Sequence, residues 1–270
     1  MLALSWVAAF VACLGYGIGS ILKSVGARGT APVSGLVGAV RIWGQLPYLA
    51  GLGIDGLAFG ANLVALQRLP LFLVQSILTA SVGVTAVLAA LRGERLARRS
   101  WLVLGVLAAG LLLLCVTAVP GHALALTSTA TRVLLLTALG PALLGVAGAR
   151  LRPRPAVLVL AAGAAWGWTG VAVASRGLSS AEPGWATLSS PLLWAVVLHG
   201  SLGAGCFALA LQRGSVTAVI AITFALEMLL PSALGLWLLG DAIGPGEAPL
   251  AALGFALTAG GTVFLMRFTD

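Results

Sequence analysis

The sequence predicts an all-α, polytopic membrane protein of about ten transmembrane helices, arranged as two inverted five-helix repeats. Three observations predict it. The 270 residues are 60% apolar and only 8% charged, whereas soluble domains run near half apolar and a quarter charged. Apolar runs of membrane-spanning length follow one another along the whole chain. A short motif in the first half recurs in the second. The same composition excludes a water-soluble enzyme, a disulfide scaffold, a disordered chain and collagen.

Charge, Pro and Gly clusters bound the apolar runs. The first covers roughly 2–22. Its first cation is Lys23, after the run, so it lacks the basic start of a secretory signal and stays as a helix. The next four cover roughly 34–52, 55–67, 70–91 and 100–118, and the boundary at Asp55 is the weakest; without it, nine helices result. After a linker at 119–129, further runs cover roughly 130–148, 155–175, 189–211, 215–239 and 247–267. Gly140-Pro141 predicts a kink in the sixth helix. The chain thus divides into repeats at 1–118 and 130–270. Trp101, Trp185 and Trp194 fall near helix ends, where interfacial anchors belong.

The repeats are read from an ordered series. Ala65-Leu66-Gln67-Arg68 recurs as Ala210-Leu211-Gln212-Arg213, each before a long apolar helix. Those helices end in Gly93-Glu94 and Gly240-Asp241, 28 and 30 residues after the respective alanines. The loop after Glu94 carries Arg95, Arg98 and Arg99, while the loop after Asp241 carries Glu247 and no cation. Positive charge marks cytoplasmic loops, so matching loops belong on opposite faces, which needs repeats of odd helix number. With both termini cytoplasmic, inner loops hold Arg92, Arg95, Arg98, Arg99, Arg150, Arg152, Arg154, Arg213 and Arg267. Lys23, Arg28, Arg68, Arg132 and Arg176 are then outside.

The segment Ala65-Leu66-Gln67-Arg68-Leu69-Pro70, its following helix and Gly93-Glu94-Arg95-Leu96 resemble the EamA-type repeat of the drug/metabolite transporter (DMT) superfamily. The second copy, with Pro231 and Gly240-Asp241, is similar but has Asp where Glu is usual. Leu69-Pro70-Leu71-Phe72-Leu73-Val74 followed by Glu94 also resembles the NIPA-type magnesium transporter branch. The resemblance implies ten helices, a central cavity and alternating access. It implies no particular substrate.

Glu227 is the most informative candidate. It falls near the middle of the ninth helix, where a charge costs at least about 2.5–3.5 kcal/mol and usually faces the protein interior. Pro231, four residues on, removes the N–H that would bond the Glu227 carbonyl. Thr223 lies one turn earlier on the same face. A carboxyl beside a broken helix at membrane depth is the arrangement by which discontinuous transporter helices hold ions. Arg41 and Gln45 share a face of the second helix, either meeting a substrate or snorkelling to the interface. Gln75 and Thr79 form an i, i+4 pair in the fourth helix, lining a cavity or joining helices. Trp166 and Trp168, with Tyr16 and Trp43, line a substrate path or simply pack. His199 bonds between helices or relays a proton; Ser201, two residues on, points to another face and forms no nucleophile pair with it. Pro141 is the second helix-breaking proline. Asp55 marks a loop end or faces the cavity.

No cofactor, metal site or enzyme activity is predicted. Cys13, Cys115 and Cys206 stand alone in apolar runs. Gly15, Gly17 and Gly19 follow no strand, and Gly56 with Gly60 forms a GxxxG packing step. No Walker lysine exists to power transport by nucleotide hydrolysis. The net charge of +8 orients helices and does not mark a nucleic-acid face. The expected partners are a lipid bilayer, a small-molecule substrate and a proton or cation. The reading is a secondary transporter of the cytoplasmic membrane, with Glu227 coupling movement of a small polar or amphipathic metabolite or drug to a proton. A NIPA-like divalent-cation pathway and a non-transporting membrane subunit remain as alternatives.

Overall fold

The computed structural model describes residues 1–28, 45–91, 98–122, 124–180, 185–214 and 216–266. The helices are α1 (Leu2–Arg28), α2 (Leu46–Ala65), α3 (Leu71–Thr79), α4 (Ser81–Leu91), α5 (Arg98–Thr117), α6 (Ser128–Thr137), α7 (Leu139–Arg150), α8 (Pro153–Leu178), α9 (Pro191–Leu211), α10 (Val216–Leu238) and α11 (Ala248–Met266). A 3-10 turn covers Trp185–Ser189. Strands β1 (Ala118–Val119) and β2 (Ala242–Ile243) form a short antiparallel ladder. Among the described residues, seven segments are long and apolar enough to cross a membrane, and Leu226–Leu238 and Ala248–Phe264 are shorter apolar helices. The protein is therefore an all-α membrane protein. Helix is the form that satisfies every backbone group within one segment, which hydrocarbon requires.

The predicted boundary at Asp55 does not exist. Residues 46–65 are one helix, with Gln45 at its N-cap and Pro47 in its first turn. A single carboxylate inside an apolar run does not interrupt backbone hydrogen bonding; it only has to find a partner. Most of the predicted second helix, including Arg41 and Trp43, lies outside the described residues, as does Glu94. The described residues make nine passes, with α3–α4 and α6–α7 each counted as one.

Two of these passes are broken. The α6–α7 break at Ala138 follows from Pro141, which has no N–H for the Thr137 carbonyl. The α3–α4 break at Ala80 has no proline. There, Ser76 donates to the Phe72 carbonyl (2.7 Å), Thr79 to Gln75 (2.8 Å) and Thr85 to Ser81 (3.0 Å). Such back-bonding hydroxyls bend helices. By contrast α10 runs unbroken through Pro231, correcting the expected discontinuity. The Ser232 hydroxyl supplies a bond to the Met228 carbonyl one turn back (2.5 Å).

Small residues let the helices approach closely. Antiparallel α1 and α2 meet where a Cβ on Gly15 would lie 2.8 Å from the Ala58 Cβ. The α8–α9 pair meets at Gly167, where a Cβ would lie 2.5 Å from the Gly203 Cα. The α5–α11 pair meets at Gly110, where a Cβ would lie 2.7 Å from the Thr258 nitrogen. Among the described residues, a Cβ on Gly56 or Gly60 of the GxxxG step meets nothing within 4 Å, whereas Gly51 faces α1 closely.

The contacts also fix direction. The Ser5 hydroxyl donates to the Val64 carbonyl (3.0 Å), placing the start of α1 beside the end of α2. The Gly121 N–H donates to the Arg68 carbonyl (2.8 Å), bringing the end of α5 to the same place. Since α11 runs antiparallel to α5, Leu2 and Met266 lie at opposite ends of the bundle.

Gly167→Ala should lower the melting midpoint in detergent, because the new methyl meets backbone that cannot move aside; overpacking of this kind costs about 1–3 kcal/mol. Gly105→Ala, with nothing within 4 Å of a Cβ, should leave the midpoint unchanged. Equal midpoints for the two variants in a thermal denaturation series would contradict the close α8–α9 crossing.

Candidate functional site

A cavity of about 490 Å³ lies among α1, α2, α3, α4, α8, α9 and α10. Each helix presents one stripe to it. From α2 come Asp55, Phe59 and Asn62, at i, i+4 and i+7. From α8 come Trp168, Val171, Ala172 and Ser175, again one face. From α10 come Thr223 and Glu227, and from α1 Tyr16 and Lys23. The broken pass contributes Gln75, Leu78 and Thr79 before Ala80 and Ser81 after it, so its bend faces the cavity. Phe207 comes from α9.

Glu227 stands midway along α10 and belongs to the lining of this space. Lys23 and Asp55 form an ion pair between α1 and α2, through Nζ and Oδ2. That pair occupies one oxygen only. Asp55 Oδ1 is buried without a hydrogen bond, and so are Asn62 Oδ1, Ser175 Oγ and Thr223 Oγ1. Four unpartnered polar atoms on three helices thus belong to residues lining one cavity. The Tyr16 ring lies close enough to feel the charge of both Asp55 and Glu227.

Of the predicted site residues, the structure brings together Glu227, Thr223, Gln75, Thr79 and Trp168. Others go elsewhere. Gln45 caps the start of α2, away from the cavity lining. Trp166 is 42% exposed on the outer surface and leans over Gly140. It is only two residues from Trp168, and in a helix that is a different face. His199 is fully buried; its Nε2 meets the Leu134 carbonyl at 2.9 Å, and its ring lies against Gly170. It joins α6, α8 and α9 rather than lining the cavity. Pro231 is buried within α10, and the Pro141 carbonyl accepts from the Cys206 thiol at 3.2 Å. Lys23, Asp55, Asn62 and Ser175 were missed as site residues. The Asp55–Phe59–Asn62 spacing was the available signal, obscured by placing a loop at Asp55.

One end of the bundle is closed by a second polar cluster. Arg176, at the end of α8, is 1% exposed. It donates to the Leu66 carbonyl, to the Leu69 carbonyl at 2.8 Å and to Asp241 Oδ1 at 2.9 Å. Asp241 Oδ2 accepts the Leu71 N–H at 2.5 Å. Burial pushes the Asp241 carboxyl up from its ordinary value, while Arg176 and the Leu71 N–H pull it back. The turn that delivers Asp241 needs two glycines. Gly240 has φ +73°, and a Cβ on Gly235 would lie 2.5 Å from Asp241 Oδ2. Beside this cluster, the β1–β2 ladder pairs Ala118 with Ile243 and Val119 with Ala242. Arg176 had been read as a loop cation; it is instead the buried tie between the α2–α3 turn and the α10–α11 connection.

Comparison with known proteins found no matching family model, no matching curated relative and no matching solved structure. The functional reading therefore stands on the cavity.

Asp241→Asn should strip the charge from a buried partner of Arg176 and cost about 3–5 kcal/mol, the usual loss when one member of a buried pair is removed. Arg176→Gln combined with Asp241→Asn should regain part of that loss. Chemical denaturation in a single detergent measures both, and additive losses would show that the two side chains are not coupled.

Proposed function

We propose that the chain is a secondary transporter that moves a small polar or amphipathic solute across the cytoplasmic membrane by alternating access. The observation that carries this reading is Glu227, an ionisable residue at mid-helix on the lining of a cavity among seven helices. Ionisable groups at membrane depth are retained where a solute or proton passes.

The same reading extends to the architecture. The two Ala-Leu-Gln-Arg segments lie at opposite ends of the bundle, one bonded through Arg68 to Gly121 and the other through Arg213 to the Gly148 carbonyl at 2.6 Å. The Gly15–Ala58 crossing has its counterpart in Gly167–Gly203. This correspondence matches α1, α2, α3–α4 and α5 with α8, α9, α10 and α11, in inverted sense. It leaves α6–α7 as the pass that reverses the second set, among the described residues. Paired helices of this kind suit rocking about a central site, although among the described residues the layout is one pass short of the ten helices that the DMT resemblance implies. The end bearing Arg98, Arg99, Arg150, Arg152 and Arg213 is taken as cytoplasmic by its positive charge. Met266 then lies toward the cytoplasm and Leu2 toward the other face, with the Arg176–Asp241 cluster closing the outer end.

Lys23 argues against the divalent-cation alternative. Its ammonium already holds Asp55, and a hard dication needs several oxygens without a cation beside them. Rings from Tyr16, Phe59, Trp168 and Phe207 supply faces that favour an organic solute.

In proteoliposomes, Glu227→Gln should reduce substrate-driven proton movement to background while preserving the melting midpoint. Coupled transport at the wild-type rate in the folded variant would remove Glu227 from the mechanism.

A further inference from the structure

A cluster of positive charge lies far from the cavity. Arg150 ends α7, Arg152 is the N-cap of α8 and Arg154 lies in the first turn of α8, and all three are exposed. Arg213, just past α9, joins them by donating to the Gly148 carbonyl at 2.6 Å and the Ala149 carbonyl at 2.9 Å. A Cβ on the neighbouring Gly214 would lie 2.6 Å from Val157 Cγ2, so the end of α9 also touches the start of α8. Three helix ends thus meet at one corner of the bundle. The apolar spans Ser128–Arg150, Arg154–Leu178 and Pro191–Leu211 all have an end there, which sets the guanidinium groups at the level of lipid headgroups. Among the described residues no acid reaches them. Asp55 is held by Lys23 and Asp241 by Arg176, Glu227 lines the cavity, and Glu247 lies between β2 and α11 at the opposite end. The surface that continues into the membrane is apolar. Val146 and Leu143 stand one and two turns before Arg150 on the same stripe, Leu158 stands one turn after Arg154, and all three are exposed. Orienting a chain needs only the number of cations in a loop, not three helix ends drawn to one corner above exposed apolar stripes.

We propose that this corner binds an anionic phospholipid, with its phosphate among Arg150, Arg152 and Arg154 and its acyl chains along Leu143, Val146 and Leu158. Guanidinium forks match phosphate oxygens in pairs. Like charges crowded into one turn repel each other, and a bound anion relieves that repulsion. Arg213 is a positioning residue here, because its bonds to the last carbonyls of α7 fix the turn that presents the other three. Prolines at 153 and 155 restrict the same turn by fixing φ on both sides of Arg154. A zwitterionic lipid brings the same phosphate with its own cation, so it gains less from an uncompensated basic cluster. A soluble phosphate ester meets the guanidinium groups but leaves the apolar stripes uncovered. Arg154 stands about 21 Å along α8 from Trp168, the first α8 residue of the cavity lining. The lipid site is therefore separate from the cavity and does not depend on the transport reading.

The test places the full chain in vesicles of equal parts phosphatidylglycerol and phosphatidylcholine with matched acyl chains. The protein is then extracted in mild detergent, and the lipid it retains is read by native mass spectrometry. Phosphatidylglycerol should be retained over phosphatidylcholine by about tenfold or more, the ratio expected for a charge-assisted hydrogen bond. Arg150→Gln combined with Arg154→Gln should bring that ratio close to one at an unchanged melting midpoint, with Arg213 left in place to hold the turn. Arg98→Gln combined with Arg99→Gln removes as much charge from the start of α5, at the same end of the bundle, and should leave the ratio intact. Glycerol 3-phosphate at millimolar concentration should not displace the lipid. Equal retention of the two lipids by the unmodified chain overturns the proposal, whether or not a variant folds. A ratio that Arg150→Gln with Arg154→Gln leaves unchanged overturns it too. Equal losses from the two double variants also overturn it, because the attraction then belongs to the whole positive end. Displacement by glycerol 3-phosphate assigns the corner to a soluble phosphate and rejects the lipid.

Discussion

A polar atom in hydrocarbon has no water to fall back on, and this constraint orders the whole bundle. Most backbone bonds close within each helix, and many of the buried polar side chains are drawn into two places. At one end, Arg176 spends its donors on two carbonyls and Asp241, and Asp241 spends its second oxygen on the Leu71 N–H. At the cavity the accounting is reversed, and Asp55, Asn62, Ser175 and Thr223 each keep an atom unbonded. The first cluster is tied by four hydrogen bonds and leaves only Arg176 Nε without a partner among the described residues. The second holds four such atoms on the residues around one cavity.

The difference between these clusters also separates stability from function in the chain. Completed polar contacts join elements distant in sequence, with Arg176 reaching Leu66 and Asp241 from the far side of α8. Close glycine crossings do the same for the apolar surfaces, where Gly110 admits Thr258 and Gly167 admits Gly203. The cavity, by contrast, is framed by a bent pass. Back-bonded hydroxyls at Ser76, Thr79 and Thr85 soften the α3–α4 pass at Ala80, between two residues that line the space.

Much of this was legible in the sequence, for a physical reason. Hydropathy reports the solvent around a helix, so the all-α membrane class and most of the passes could be read directly. Glu227, Thr223, Gln75, Thr79 and Trp168 could be read as well, because polar or aromatic residues at helical spacing in an apolar run point to a shared face. Asp55 could not, since a charge in a run marks either a boundary or a partnered buried group, and its partner Lys23 is 32 residues away. Arg176 failed for the same reason: Asp241 is 65 residues distant. His199 and Trp166 show the complementary limit, in that residue type suggested the cavity while their faces of α9 and α8 turned elsewhere.

The α5–α11 pair carries a last implication. Gly110 and Gly254 let these helices interlock, and neither helix supplies a residue to the cavity lining. They form a keel outside the cavity. Changes to the stripes of α2, α8 and α10 can therefore reshape the cavity while the keel stays untouched, so that chains built on this frame would diverge in lining long before they diverge in shape.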